Sequence, residues 1–293
     1  MRHVAVDPDL FSSGDLLVSR RMEGFDTYYM VATGGWAAHA AVVMREGKAL
    51  YVWEARYPAG VARTPMAQWL ERARASEAEV AWLQLRNDVR RRFNETLGLA
   101  FLHAEEGSFY SPRAVFFGAV DSDDYPFSSD LLPFVIRYLQ ELDPALFSTV
   151  FQDALNTRLG NTSYSTFEDI LVATAADGNM TIQSLMALPE QDSLSAHSFS
   201  AGSLPTAFYR AAGLFGARVE INAQEFTVKD VYQLDFFNTT GQRQRPQLCQ
   251  EADPHLPYCQ LSGAHRLKLP GLSSVKPYSH MNEACRRERT EGC

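Results

Sequence analysis

Residues 38–54 read AHAAVVMREGKALYVWE, and the fold is decided there. Two apolar runs, AHAAVVM (38–44) and ALYVWE (49–54), bracket the turn-forming REGK (45–48). That arrangement predicts a β-hairpin. With the turn centred on Glu46-Gly47, paired residue numbers sum to 93, which sets His39 directly opposite Glu54. Opposed side chains share a face of the sheet, with Cβ atoms about 4.5–5.5 Å apart. A carboxylate beside an imidazole fixes its tautomer and raises its basicity. This is the base-plus-orienter half of a nucleophilic triad. The plainer reading is a structural polar pair on the rim of the sheet.

Working outward, residues 12–20 (SSGDLLVSR) predict a turn and then a short buried strand. Thr33-Gly34-Gly35 reads as a loop. Thr64 as N-cap and Pro65 as first helical residue predict a helix to about residue 75. A strand is expected within 77–85 (EAEVAWLQL), and Asn87 caps a helix reaching about residue 105. Helical patterning dominates from 108 to about 195. A short helix over 204–212 ends at Gly213, and residues 219–222 carry strand character. Thr227 caps a helix over 228–234. Beyond about 241 the chain is rich in proline, glycine and polar residues and reads as an irregular wrap. Early strands with later helices indicate α+β, not a doubly wound sheet.

The 293 residues are 46% hydrophobic and 21% charged, which is ordinary globular usage. The formal net charge of −8 disfavours nucleic acid as a partner. No apolar run reaches the roughly 18 residues of a membrane helix. The first eleven residues, MRHVAVDPDLF, hold no hydrophobic signal stretch. The glycine-loop, H-E-x-x-H and G-x-S-x-G signatures are missing from the sequence.

All four cysteines, Cys249, Cys259, Cys285 and Cys293, fall in the last 45 residues. An even count in a loop-rich tail predicts two disulfides in one of three pairings. Zinc is the rival, but there is no C-x-x-C, and His255, His265 and His280 fit no finger spacing. Asn94, Asn161, Asn179 and Asn238 lie in N-x-S/T sequons. Disulfides and sequons together point to a secreted or secretory-lumen protein. With no signal stretch, either the start of the chain was trimmed or mis-called, which is the favoured expectation, or the protein is cytosolic with incidental sequons.

The order GDLLVSR (14–20), TGGWAAHAAVV (33–43), LYVWEA (50–55) and RTPMAQWL (63–70) resembles the circularly permuted, NlpC-type branch of the papain-like cysteine hydrolases. Longer segments resemble a secreted, mostly protist group of that superfamily. They include ALNTRLG (154–160), LPEQD (188–192), FYRAAGLFG (208–216), INAQEFTVKDVYQLDFF (221–237), EADPHLPYCQLSG (251–263) and PYSHMNEAC (277–285). The resemblance implies one papain-like domain with an antiparallel sheet over 12–240. It carries a helical insertion at about 111–195 and a disulfide-tied C-terminal extension over 241–293. It implies His39 as general base and Glu54 as its orienting partner. The nucleophilic cysteine should stand at the start of a late helix, eight residues before Tyr209. That position is Ala201, and Pro205 interrupts the first helical turn.

The resemblance therefore implies a catalytically impaired pseudoenzyme that keeps a cleft for a peptide or acyl-amide ligand. A first alternative is a serine-variant amidase, peptidase or acyltransferase in which Ser200 or Ser203 is activated by His39. Serine is harder to deprotonate than cysteine, so it would lean on the base and an oxyanion hole. Ser203 has a plainer job as a helix cap. A tail cysteine as nucleophile would lie about 50 residues from its place. A pure binding or scaffold protein is the second alternative. Gly35, Trp36 and Tyr110 are candidate walls of the cleft. No metal or organic cofactor is implied.

Overall fold

The computed structural model describes residues 2–3, 7–22, 24–57, 59–111, 198–216, 221, 223–241 and 245–276. The chain divides into two compact units, one of residues 1–123 with 198–293 and the other of residues 124–197. The second unit, and with it most of the expected helical insertion, lies outside the described residues.

The first unit is α+β. Its sheet comprises β1 (Arg2–His3), β2 (Leu16–Arg20), β3 (His39–Glu46), β4 (Ala49–Arg56), β5 (Gly60–Pro65), β6 (Glu79–Leu83) and β9 (Cys259–Gly263). The spatial order is β1-β9-β6-β2-β3-β4-β5, and every neighbouring pair is antiparallel. Two short strands, β7 (Phe109–Tyr110) and β8 (Ser198–Phe199), pair in parallel beside it.

The hairpin forms with a different register from the expected one. Its loop is Gly47-Lys48, and Glu46 pairs with Ala49, Met44 with Tyr51 and Val42 with Trp53. Paired numbers sum to 95, not 93. Gly47 takes a positive φ of 62°, the freedom a two-residue loop requires at its first position. Glu54 therefore falls two residues along from the position directly opposite His39. A slip of two preserves the face, because strand side chains alternate with period two.

That alternation explains why the strands are apolar almost throughout. Val42, Met44, Trp53 and Leu83 point into one core, and Ala41, Val43, Val52 and Trp82 into another. Helices α4 (Glu95–Ala104), α5 (Ser203–Ala211) and α6 (Val228–Gln233) supply Leu102, Leu204, Phe208 and Val231 to the first core. Helix α2 (Met66–Ala75) covers the second with Met66, Trp69 and Ala73, at helical spacing.

Several elements depart from the sequence expectation. Helix α1 (Gly24–Thr33) forms where none was assigned; its β-branched and aromatic residues are weak helix formers. The Gly34-Gly35 pair ends it, with Gly34 N–H donating to Val31 O and Gly35 N–H to Met30 O. Strand β5 occupies 60–65, so Thr64 is a strand residue and α2 starts at Met66 after an extended Pro65. The single helix expected over 87–105 is two, α3 (Asn87–Arg92) and α4. Asn94 restarts the helix by accepting from Leu97 N–H at 3.1 Å.

The tail is the largest correction. It is not only an irregular wrap, because β9 sits inside the main sheet between β1 and β6. Helix α7 (Gln247–Ala252) is stapled to β9 by the Cys249–Cys259 disulfide, and both cysteines are buried in the second core. Cys285 and Cys293 lie outside the described residues, as do Asn161 and Asn179. Asn94 is exposed, as a glycan requires, whereas Asn238 is buried.

The disulfide closes a separation of 10 residues, which chain-entropy reasoning values at about 2–3 kcal/mol. Replacing Cys249 and Cys259 together by serine should lower unfolding free energy by about that amount, measured by urea denaturation. An unchanged midpoint would show that β9 holds its place without the staple.

Candidate functional site

Glu54 is the centre of the candidate site. Its side chain is only 3% exposed, and four groups from three elements converge on it. His39 Nε2 lies 2.8 Å from Oε2, and Trp69 Nε1 donates to the same oxygen at 2.9 Å. Arg72 Nη2 donates to Oε1, and Arg56 Nε stands 3.7 Å from it. Trp69 and Arg72 reach together because they are three apart on α2 and share a face.

Burial pushes the Glu54 carboxyl up. The His39 contact, the Trp69 hydrogen bond and the Arg72 charge outweigh that and hold it at about 2. Glu54 is therefore an anion throughout the neutral range and can only accept hydrogen bonds. His39 must place a proton on Nε2 to bond to it. In the neutral ring this leaves the Nδ1 lone pair free, and among the described residues no hydrogen bond to Nδ1 is present. The His39 side chain is 22% exposed, so the ring edge reaches solvent. The expected contact between His39 and Glu54 is present, two residues out of the expected register.

Ser200, Ala201 and Ser203 cluster at the start of α5, and all three are buried. The N-cap position falls on Gly202, with no side-chain cap bond, so Ser203 is the first helical residue and not the expected cap; the two serines bond to each other across it. Ser200 N–H donates to Ser203 Oγ at 2.7 Å, and Ser203 N–H donates to Ser200 Oγ at 3.1 Å. Ser203 Oγ also lies 3.5 Å from Ser200 O. Ser200 Oγ thus takes the first helical N–H, Ser203 Oγ takes an N–H of the preceding segment, and neither hydroxyl is hydrogen-bonded to His39. Gly202 packs so tightly that a Cβ there would stand 2.2 Å from Phe226 O. Ala201 belongs to the core that α5 covers, while Glu54 and Trp69 face the side that α2 covers.

The expected wall residues have other surroundings. Gly35 terminates α1, and a Cβ on it would meet Thr33 Oγ1 at 3.1 Å and Lys229 Cβ at 3.3 Å. Trp36 is exposed, with Arg20 5.8 Å and Lys268 6.0 Å from its ring. Arg20 in turn is ion-paired to buried Glu79 at 2.6 Å. Tyr110 stacks edge-on with Tyr57, with ring centroids 6.1 Å apart. Burial, and next the nearby Asp26 charge, push its hydroxyl well above the usual tyrosine range.

Sequence reasoning missed Trp69, Arg72 and Arg56. The i, i+3 spacing of the first two on a helix was the available signal. It also gave no role to Asp15, which is fully buried. Asp15 accepts from Trp82 Nε1, Ser12 N–H and Leu85 N–H at 3.0–3.1 Å. It ties the turn before β2 to β6 and the start of α3. Among the described residues, no group of three or more His, Cys, Asp or Glu side chains could hold a metal ion.

No family model matches the chain, and no curated protein matches it. Among solved structures it is similar to the metalloprotein yiiX from Escherichia coli O157:H7, DUF1105. The identity is 19% over 51% of this chain and 69% of that one, with a TM-score of 0.29. A likeness that low fixes neither fold nor chemistry.

The Glu54 carboxyl sets a pH dependence. A group held at about 2 when folded and near 4.5 when unfolded contributes stability that is complete above 4.5. That contribution is lost as pH falls through the window to 2, about 3 kcal/mol in all. Urea unfolding at stepped pH should show this loss in the native chain. Glu54→Gln should be less stable at neutral pH and show a flatter profile over the same window. Parallel profiles would place the acid sensitivity elsewhere.

Proposed function

We propose that this chain is a thiol-hydrolase-like protein that binds a peptide or acyl-amide ligand and does not turn it over. The single observation that carries this reading is the division of labour between the two halves of the expected triad. His39 is oriented by a buried anion and offers a free Nδ1. The helix start that should present a nucleophile carries a buried methyl group at Ala201. Its neighbouring serine hydroxyls accept from each other's backbone N–H groups.

Nucleophilic catalysis needs the attacking oxygen within hydrogen-bond reach of its base. Ser200 and Ser203 flank Ala201 in the core that α5 covers, whereas Glu54 and Trp69 face the side that α2 covers, and neither hydroxyl is hydrogen-bonded to His39. Losing the thiol also removes the easier leaving and attacking chemistry that a helix N-terminus would favour. Of the tail cysteines, Cys249 and Cys259 are consumed by their disulfide. What remains around Glu54 is a partly exposed imidazole edge with cationic neighbours, which can recognise a polar ligand without reacting with it.

Treatment with a fluorophosphonate probe, followed by mass mapping, tests the absence of a serine nucleophile. The native chain should give no adduct at Ser200 or Ser203. An adduct there that vanishes in His39→Ala would make the protein a serine hydrolase.

A further inference from the structure

Two guanidinium groups meet at one carboxylate oxygen beside His39, and Glu54 can neutralise only one of them. Arg72 donates to Glu54 Oε1 through Nη2 alone. Arg56 comes within 3.7 Å of the same oxygen but makes no hydrogen bond to it, and its buried Nε has no hydrogen-bond partner. Among the described residues, neither arginine has a second acceptor. Their side chains are 42% and 38% exposed for Arg56 and Arg72, so the remaining donors open to solvent. The cluster therefore holds a surplus positive charge on a chain whose formal net charge is −8.

The arrangement is also rigid at its base. Arg56 ends β4, and Arg72 sits on α2 beside Trp69, which is hydrogen-bonded to Glu54. Guanidinium forks present several N–H donors in a plane and match the two oxygens of a carboxylate. Tyr57, next after Arg56, packs against Tyr110 and adds an aromatic pair near the same strand end.

We propose that Arg56 and Arg72 form an oxyanion-binding subsite beside His39, so that the ligand carries a carboxylate. The inference rests on the reading that a peptide-like ligand binds at His39. The carboxylate is the free end or an acidic side chain of that ligand. Glu54 anchors the Arg72 guanidinium, Arg56 stands beside it with its donors uncommitted, and His39 supplies a neighbouring polar contact through its exposed ring edge.

The test follows the arginine side-chain N–H resonances of the intact chain by NMR, at low ionic strength because exposed charges are screened by salt. Acetate is the first probe. Two N-acetylated trialanine peptides, one with a free C-terminal carboxylate and one with a carboxamide, are the others. Acetate should perturb the Arg56 and Arg72 signals saturably. The carboxylate peptide should bind at least about tenfold more tightly than the carboxamide. Arg56→Gln should abolish that preference, and Arg72→Gln gives an independent loss if the first variant fails to fold. If acetate saturates but neither peptide binds, the subsite stands and the peptide reading falls. Two peptides binding equally well would overturn the subsite and leave the peptide reading in place. If acetate gives no saturable perturbation, the subsite is likewise overturned.

Discussion

A carboxylate removed from water must be matched by donors, or it will not remain ionised. Glu54 meets that demand with His39 from β3, Trp69 and Arg72 from α2, and the nearby Arg56 at the end of its own strand. One buried charge thus links the hairpin to the helix that covers it, beside the apolar contacts of Met66, Trp69 and Ala73. The orientation of the imidazole follows from the same bonds. The sheet face, the helix face and the candidate site are different views of one electrostatic constraint.

At the other end of the expected triad the same physics has a different outcome. The start of α5 needs partners for its free N–H groups, and the serines supply them to each other. Gly202 lets the chain pass against the backbone at Phe226 and Thr227. The helix terminus survives as architecture, with close packing, satisfied donors and Ala201 in the core. Among the described residues, neither serine hydroxyl at this terminus is hydrogen-bonded to His39.

How much of this was legible depended on period and range. The hairpin was readable because two apolar runs and a glycine turn are local signals. The register was missed by two residues, since REGK fits a loop on either dipeptide. The His39–Glu54 pair survived that error only because an even slip keeps the face. Helix α1 was hidden by residues that form helices poorly, and β5 by a proline that suits a helix start as well as a strand end. Strand β9 was illegible because its partners, β1 and β6, lie far away in sequence. Trp69 and Arg72 were visible as neighbours on a helix. Nothing local revealed that a carboxylate on β4 was their target.

Glu54 holds neutral His39 with its proton on Nε2 and leaves the Nδ1 lone pair open. Long-range proton–nitrogen NMR of the His39 ring in mildly alkaline buffer reads that tautomer directly. The native chain should show the Nε2–H form, and Glu54→Gln a mixture of tautomers. A native ring protonated mainly on Nδ1, or one unchanged by Glu54→Gln, would contradict it.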